Sequence, residues 1–312
     1  KAATAELMNS VALCYPMGTA KVLADQIGGL AQTEAYLNVM TYLASDELDP
    51  LDVDLAVQAL QGECVNAMTP EVLSRATADE PFDMTTFVVN PNIYQDATDD
   101  EGNPTDVRIN GWTLETNADR APRTGATSGD TWMYTTSHSS NDAHNISSAT
   151  DYRQVIGTQP EVSAEGKYGL PTGAYRVEAA TFLNHEWDKM RLYAQTNSVE
   201  VSTVTGSAGQ DSLVYAYTEI EYADSAFNGK QDVWDAAQAT LGTTTVVPEI
   251  YVENGAVTIG IRGNGRVGGN DSWFLADNFR LYYIGTERGS NIGGTMMDYN
   301  ANSSELVDVY DI

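Results

Sequence analysis

The stretch Tyr251-Val252-Glu253-Asn254-Gly255-Ala256-Val257-Thr258-Ile259-Gly260-Ile261-Arg262 decides how the chain is read. Apolar and β-branched residues alternate on both sides of Asn254-Gly255, a pair that supplies the left-handed backbone of a tight turn. The spacing predicts strands over 249–253 and 257–262 joined as a hairpin. The same texture recurs outward from it, at 86–89, 131–136, 174–182, 190–194, 199–204, 213–220 and 272–283. One helical segment, 231–241, interrupts the series, and 96–104 reads as a polar loop. Parallel strands would need a helix between most neighbours, so the fold class is mainly β, an antiparallel jelly-roll β-sandwich.

Residues 1–80 differ. They are rich in Ala, Leu, Val and Met, and predict a small all-α domain ahead of a sandwich over 82–286 and an extended tail over 287–312. A first helix over 3–27 contains Pro16, which should kink or split it. Thr33 is placed to cap a second helix and Asp49-Pro50 to open a third, with Val53, Ala56, Val57, Leu60, Cys64 and Met68 on one face. Cys14 and Cys64 leave two alternatives. They are either buried free thiols or a disulfide that closes the loop between them, worth about 4 kcal/mol in the chain-entropy model.

Sixteen Lys and Arg face 44 Asp and Glu among 312 residues, a net charge of -28. That field repels a phosphate backbone, so nucleic acid is excluded as a partner, and an anionic membrane surface is disfavoured. No apolar run is long enough to span a bilayer. With no charged leader at Lys1, the chain reads as a mature product or an excised fragment. Three histidines and no nucleophile-elbow, zinc-protease or phosphate-loop pattern leave little for catalysis, and paired carboxylates among so many acids are read as solvated surface.

The opening stretch, with 271–285 after it, resembles the closing strands of galactose-binding-like β-sandwich modules of secreted Bacteroidota proteins, relatives of carbohydrate-binding modules. Val89-Asn90-Pro91, Asn110-Gly111-Trp112-Thr113, 170–177 and Arg191-Leu192-Tyr193-Ala194 agree in order. The resemblance implies noncatalytic binding of a polysaccharide or glycan by an extracellular or cell-surface protein. A structural or adhesive subunit of an extracellular assembly is the alternative, and a glycoside hydrolase the weakest reading. It also implies a structural calcium ion, with Asp277 in the matching motif; the loop acids Asp96, Asp99 and Asp106 form a second candidate set. Ser304 to Ile312 is similar to the opening strand of the type IX secretion sorting domain. That strand could also dock on a second copy of the chain.

A sugar needs an aromatic plate beside polar groups, because a pyranose has an apolar face and a polar rim. Asn184-His185-Glu186-Trp187 has that composition, with Trp187 as the plate, and Trp132 with Tyr134 comes second. Trp112, Trp273 and Trp234 are expected in the core. Ser212 and Ser225 fit the Asp-Ser-apolar pattern of O-glycosylation, and Asn145, Asn270 and Asn302 fit N-glycosylation.

Overall fold

A computed structural model describes residues 2–93, 96–98, 104–114, 123–127, 130–136, 150–158, 168–184, 187–188, 190–197, 213–220, 244–263, 265–266, 273–288, 297–298 and 307–308. The helices are α1 (Ala2–Ile27), α2 (Glu34–Leu43), α3 (Pro50–Ala67) and the short α4 (Pro70–Leu73). Thr33 caps α2 by accepting from the Tyr36 amide, and Asp49 caps α3 by accepting from Leu51 N at 2.9 Å. Val53, Ala56, Val57, Leu60, Cys64 and Met68 are all buried, as their spacing requires. Pro16 does not split α1, contrary to expectation. The Thr19 hydroxyl donates to Pro16 O at 2.9 Å, Met17, Ala20, Leu23 and Ala24 bury the turns after the proline, and Leu13 and Cys14 before it pack against the core.

Cys14 and Cys64 are free thiols, which corrects the disulfide alternative. Each is held in its own helix, and burial, with Glu63 adding to it, pushes the Cys64 thiol up to about 12. Native-state thiol labelling is therefore expected to modify half-buried Cys14 first and Cys64 only after unfolding. Two thiols that stay unlabelled in denaturant without reductant would contradict this.

The strands are β1 (Phe82–Asp83), β2 (Asp96–Thr98), β3 (Pro104–Ile109), β4 (Thr113–Leu114), β5 (Arg123–Thr127), β6 (Asp130–Thr136), β7 (Thr150–Gly157), β8 (Gly173–Asn184) and β9 (Trp187–Asp188). They continue as β10 (Arg191–Asn197), β11 (Leu213–Glu219), β12 (Thr244–Val252), β13 (Ala256–Gly263), β14 (Gly265–Arg266), β15 (Trp273–Gly285), β16 (Met297–Asp298) and β17 (Val307–Asp308). One sheet has the order β12-β8-β15-β6-β5 with β1 also on β15, and the other runs β11-β10-β13-β7-β4. Every described pairing is antiparallel, and the chain crosses repeatedly between the sheets as a jelly roll does, with β5–β6 and β10–β11 as neighbours within one sheet. Val247, Ile250 and Val252 of one sheet and Val257, Ile259 and Ile261 of the other are all buried. The buried cluster runs without a break from Met17 of α1 to Tyr283 of β15. Hydrogen bonds from Gln26 to Pro81 O and from Gln61 to Thr86 O tie helices to sandwich.

The predicted hairpin at Asn254-Gly255 is not one. β12 pairs with β8 and β13 with β7 and β10, so the chain changes sheet at this turn. Gly255 has φ 73°, and its carbonyl accepts from Leu170 N at 2.7 Å instead of closing a two-strand ladder. Residues 86–89 are not a strand either. Asp83 Oδ1 accepts from Thr85 N at 2.9 Å and starts a 3-10 turn over Thr85–Phe87, a side-chain bond that competes with strand pairing. The polar loop at 96–104 has paired ends, Asp96 opposite Ile109 and Thr98 opposite Pro104. In the tail, Met297 and Asp298 pair with Asp308 and Val307 of the same chain. The expected elements 199–204 and 231–241 lie outside the described residues, and no helix among those described is long and apolar enough to cross a membrane.

Candidate functional site

Alternation gives the five-stranded sheet two unlike faces. Leu192, Ala194, Ile259, Ile261, Tyr152 and Ile156 point towards the other sheet and belong to the core. Their neighbours in sequence, polar or aromatic apart from Val155, Gly157 and Gly260, meet in register on the opposite face. Glu219 of β11 stands across from Arg191 of β10, Arg191 across from Arg262 of β13, and Arg262 across from Asp151 of β7. Two residues along each strand, the next row is Tyr217, Tyr193, Gly260 and Arg153.

The first row is an ionic chain. Arg262 donates to Asp151 Oδ2 from Nη2 at 2.6 Å and from Nε at 3.1 Å, and the Tyr193 hydroxyl donates to Asp151 Oδ1 at 2.7 Å. Arg191 donates from Nη2 to Glu219 Oε1 at 3.1 Å. Each guanidinium also lies against a ring of the second row, Arg191 at 3.9 Å from the Tyr217 centroid and Arg262 at 5.4 Å from that of Tyr193. Gly260 leaves the room for this. A Cβ there would stand 2.3 Å from Tyr152 O and 2.9 Å from Tyr193 Cε1. Arg191, Tyr193, Arg262 and Asp151 are buried, whereas the Glu219 side chain is 64% exposed.

Trp187 lies on β9, ahead of β10 in the chain. β9 pairs with β14, Trp187 opposite Arg266 and Asp188 opposite Gly265, in the register that sets Arg191 opposite Arg262. The ribbon is a two-stranded sheet of its own whose register is in line with that of β10–β13, with Trp187 four residues before Arg191. Asn184 ends β8 opposite Trp273, while His185 and Glu186 lie outside the described residues. Trp132, opposite Gly125, and Tyr134, between Arg123 and Leu275, sit in the six-stranded sheet, so the two aromatic candidates are not on one sheet. Trp112 is in the core as expected, its ring 4.4 Å from that of Phe279.

Asp277 lies at a β-bulge of β15, where its Oδ1 accepts from Asn278 N at 2.6 Å. Asp96 and Asp106 belong to the β2–β3 pair, and Asp99, Ser212, Ser225, Trp234, Asn145, Asn270 and Asn302 lie outside the described residues. No group of three or more His, Cys, Asp or Glu that could hold a metal ion is gathered among the described residues.

Sequence reasoning missed Arg191, Tyr193, Tyr217, Arg262, Asp151 and Glu219 as a set. Their signal is the polar half of each alternation, Arg191-x-Tyr193, Tyr217-x-Glu219 and Asp151-x-Arg153.

No protein-family model matches the chain, and no curated protein matches it. Among solved structures it is similar to the module TmCBM61 in complex with β-1,4-galactotriose, with 16% identity over 63% of this chain and 97% of that one, at a TM-score of 0.32. It is similar to the enzymatically active domain of tailspike protein 4 of bacteriophage CBA120, with 12% identity over 62% and 22% of the two chains and a TM-score of 0.28. It is similar to the CBM22-1–GH10 modules of a Clostridium thermocellum xylanase complexed with xylohexaose, with 11% identity over 59% and 28% and a TM-score of 0.25. Overlaps this loose carry no argument about ligand, and the fold assignment rests on the strand order itself.

Proposed function

We propose that this protein binds carbohydrate without cleaving it, as an exported protein, through the arginine–tyrosine face of its five-stranded sheet. The observation that supports this reading is the shared register of the Arg191–Arg262 and Trp187–Arg266 pairs, with an aromatic residue on the strand just ahead of the one that brings Arg191 and Tyr193 beside the other tyrosine, guanidinium and carboxylate groups. A pyranose needs that combination, a ring to lie on and charged or hydroxyl partners for its rim. Cleavage would need carboxyl groups free to give and take protons or to attack. Asp151 is the one buried carboxylate among the described residues, and its two oxygens are engaged by Tyr193 and Arg262.

A glycan array on the whole chain tests the reading. Trp187→Ala is expected to lower binding at least tenfold while the melting temperature stays within about 2 °C, since a plate that stacks on a sugar contributes to affinity and not to the core. Full binding by the variant, or none by the parent to any glycan, would sink it.

A further inference from the structure

The two guanidiniums of this face are partnered unequally, Arg262 by a buried carboxylate and Arg191 by an exposed one. Arg191 and Arg262 are both buried and stand directly opposite each other, an arrangement that like charges disfavour. Among the described residues one buried carboxylate, Asp151, answers them, and it is bound to Arg262. Arg191 has only the exposed Glu219, bonded through Nη2, while its Nε and Nη1 donate to nothing among the described residues. A buried charge is expected to be paired and its donors satisfied. A guanidinium with open donors matches the planar fork of a carboxylate. The wider distribution of charge agrees. In a chain at -28, three of the 16 cationic residues, Arg153, Arg191 and Arg262, lie on β7, β10 and β13 on this one face.

We infer that the glycan bound here is acidic, a polysaccharide carrying carboxylates, and that Arg191 takes a sugar carboxylate in place of Glu219. The inference rests on the carbohydrate-binding reading above. Glu219 is the chain's own stand-in for the ligand. It sits on β11, the edge strand of the sheet, and its exposed side chain can swing into water and open the way to the guanidinium. A neutral sugar has no carboxylate to offer Arg191 in place of Glu219.

The test is titration calorimetry of the whole chain with oligosaccharides of polygalacturonate, alginate and glucuronoxylan, each beside its carboxyl-reduced form, and with a sulfated carrageenan. At least one carboxylated ligand is expected to bind ten or more times tighter than its reduced form and to weaken as salt rises. Glu219→Gln removes the competing carboxylate from an exposed position and is expected to tighten that binding several-fold. Arg191→Gln is expected to abolish it. Because Arg191 is buried, that variant is read beside its melting temperature, and the reduced-ligand and Glu219→Gln arms stand without it. Equal affinity for acidic and reduced forms, a preference for the sulfated glycan alone, or unchanged or weaker binding by Glu219→Gln overturns the inference and leaves carbohydrate binding intact. Binding to none of these, nor to any glycan on an array, overturns both.

Discussion

Asp151→Ala is expected to destabilise the chain by about 3–5 kcal/mol, the range for removing one partner of a buried ion pair. The carboxylate is 3% exposed and accepts three hydrogen bonds, two from Arg262 and one from the Tyr193 hydroxyl. Without it the buried Arg262 guanidinium loses two hydrogen bonds beside a second guanidinium, Arg191, and the Tyr193 phenol loses one. The damage falls on the β7–β13 ladder, where Asp151 and Arg262 are cross-strand partners. Urea unfolding is expected to keep its slope and shift its midpoint. Asp151→Leu together with Arg262→Met should recover most of the loss, because two apolar residues bury without a charge to compensate. A loss below about 1 kcal/mol for Asp151→Ala would show that the pair does not hold this end of the sheet.

The helical segment was legible because its signals are local. A cap at Thr33 or Asp49 and the three-and-four spacing of Val53 to Met68 lie within one helix, and the structure buries that stripe. The sandwich class was legible from the number and texture of its strands. Which sheet each strand joins was not. Asn254-Gly255 supplies a left-handed turn residue whether the flanking strands pair or part, and the residues that meet this corner, Leu170 and Gly157, are far away in sequence. The site divides the same way. Trp187 could be picked out by the composition of its neighbours, but the row from Glu219 to Asp151 depends on the register of four strands. Arg262 and Asp151 are 111 residues apart, and periodicity within a strand carries no information about register between strands. At residues 86–89 the β-branched texture lost to one side-chain bond from Asp83.

The change of sheet at residue 255 leads to the second large effect, on Gly157. Gly157 ends β7 with φ 79° and pairs with Ala256, the first residue of β13. A Cβ at this position would stand 2.3 Å from Gly255 O and 2.9 Å from Leu170 Cγ. The oxygen is backbone and cannot rotate away. It is also the acceptor for Leu170 N, so moving it breaks the bond that fixes the corner. Gly157→Ala therefore combines a left-handed backbone, about 1–2 kcal/mol for a residue with a Cβ, with a clash against the main chain, for an expected loss of about 3–5 kcal/mol. Gly28→Ala isolates the first part. Gly28 has the same φ of 79° at the end of α1, and a Cβ there meets nothing within 4 Å, so its loss is expected to stay near 1 kcal/mol. Urea midpoints of the two variants give the difference directly. If Gly157→Ala costs no more than Gly28→Ala, the close approach of β7 to the 255 corner is not what parts β12 from β13, and the change of sheet must be set by the packing of their apolar faces.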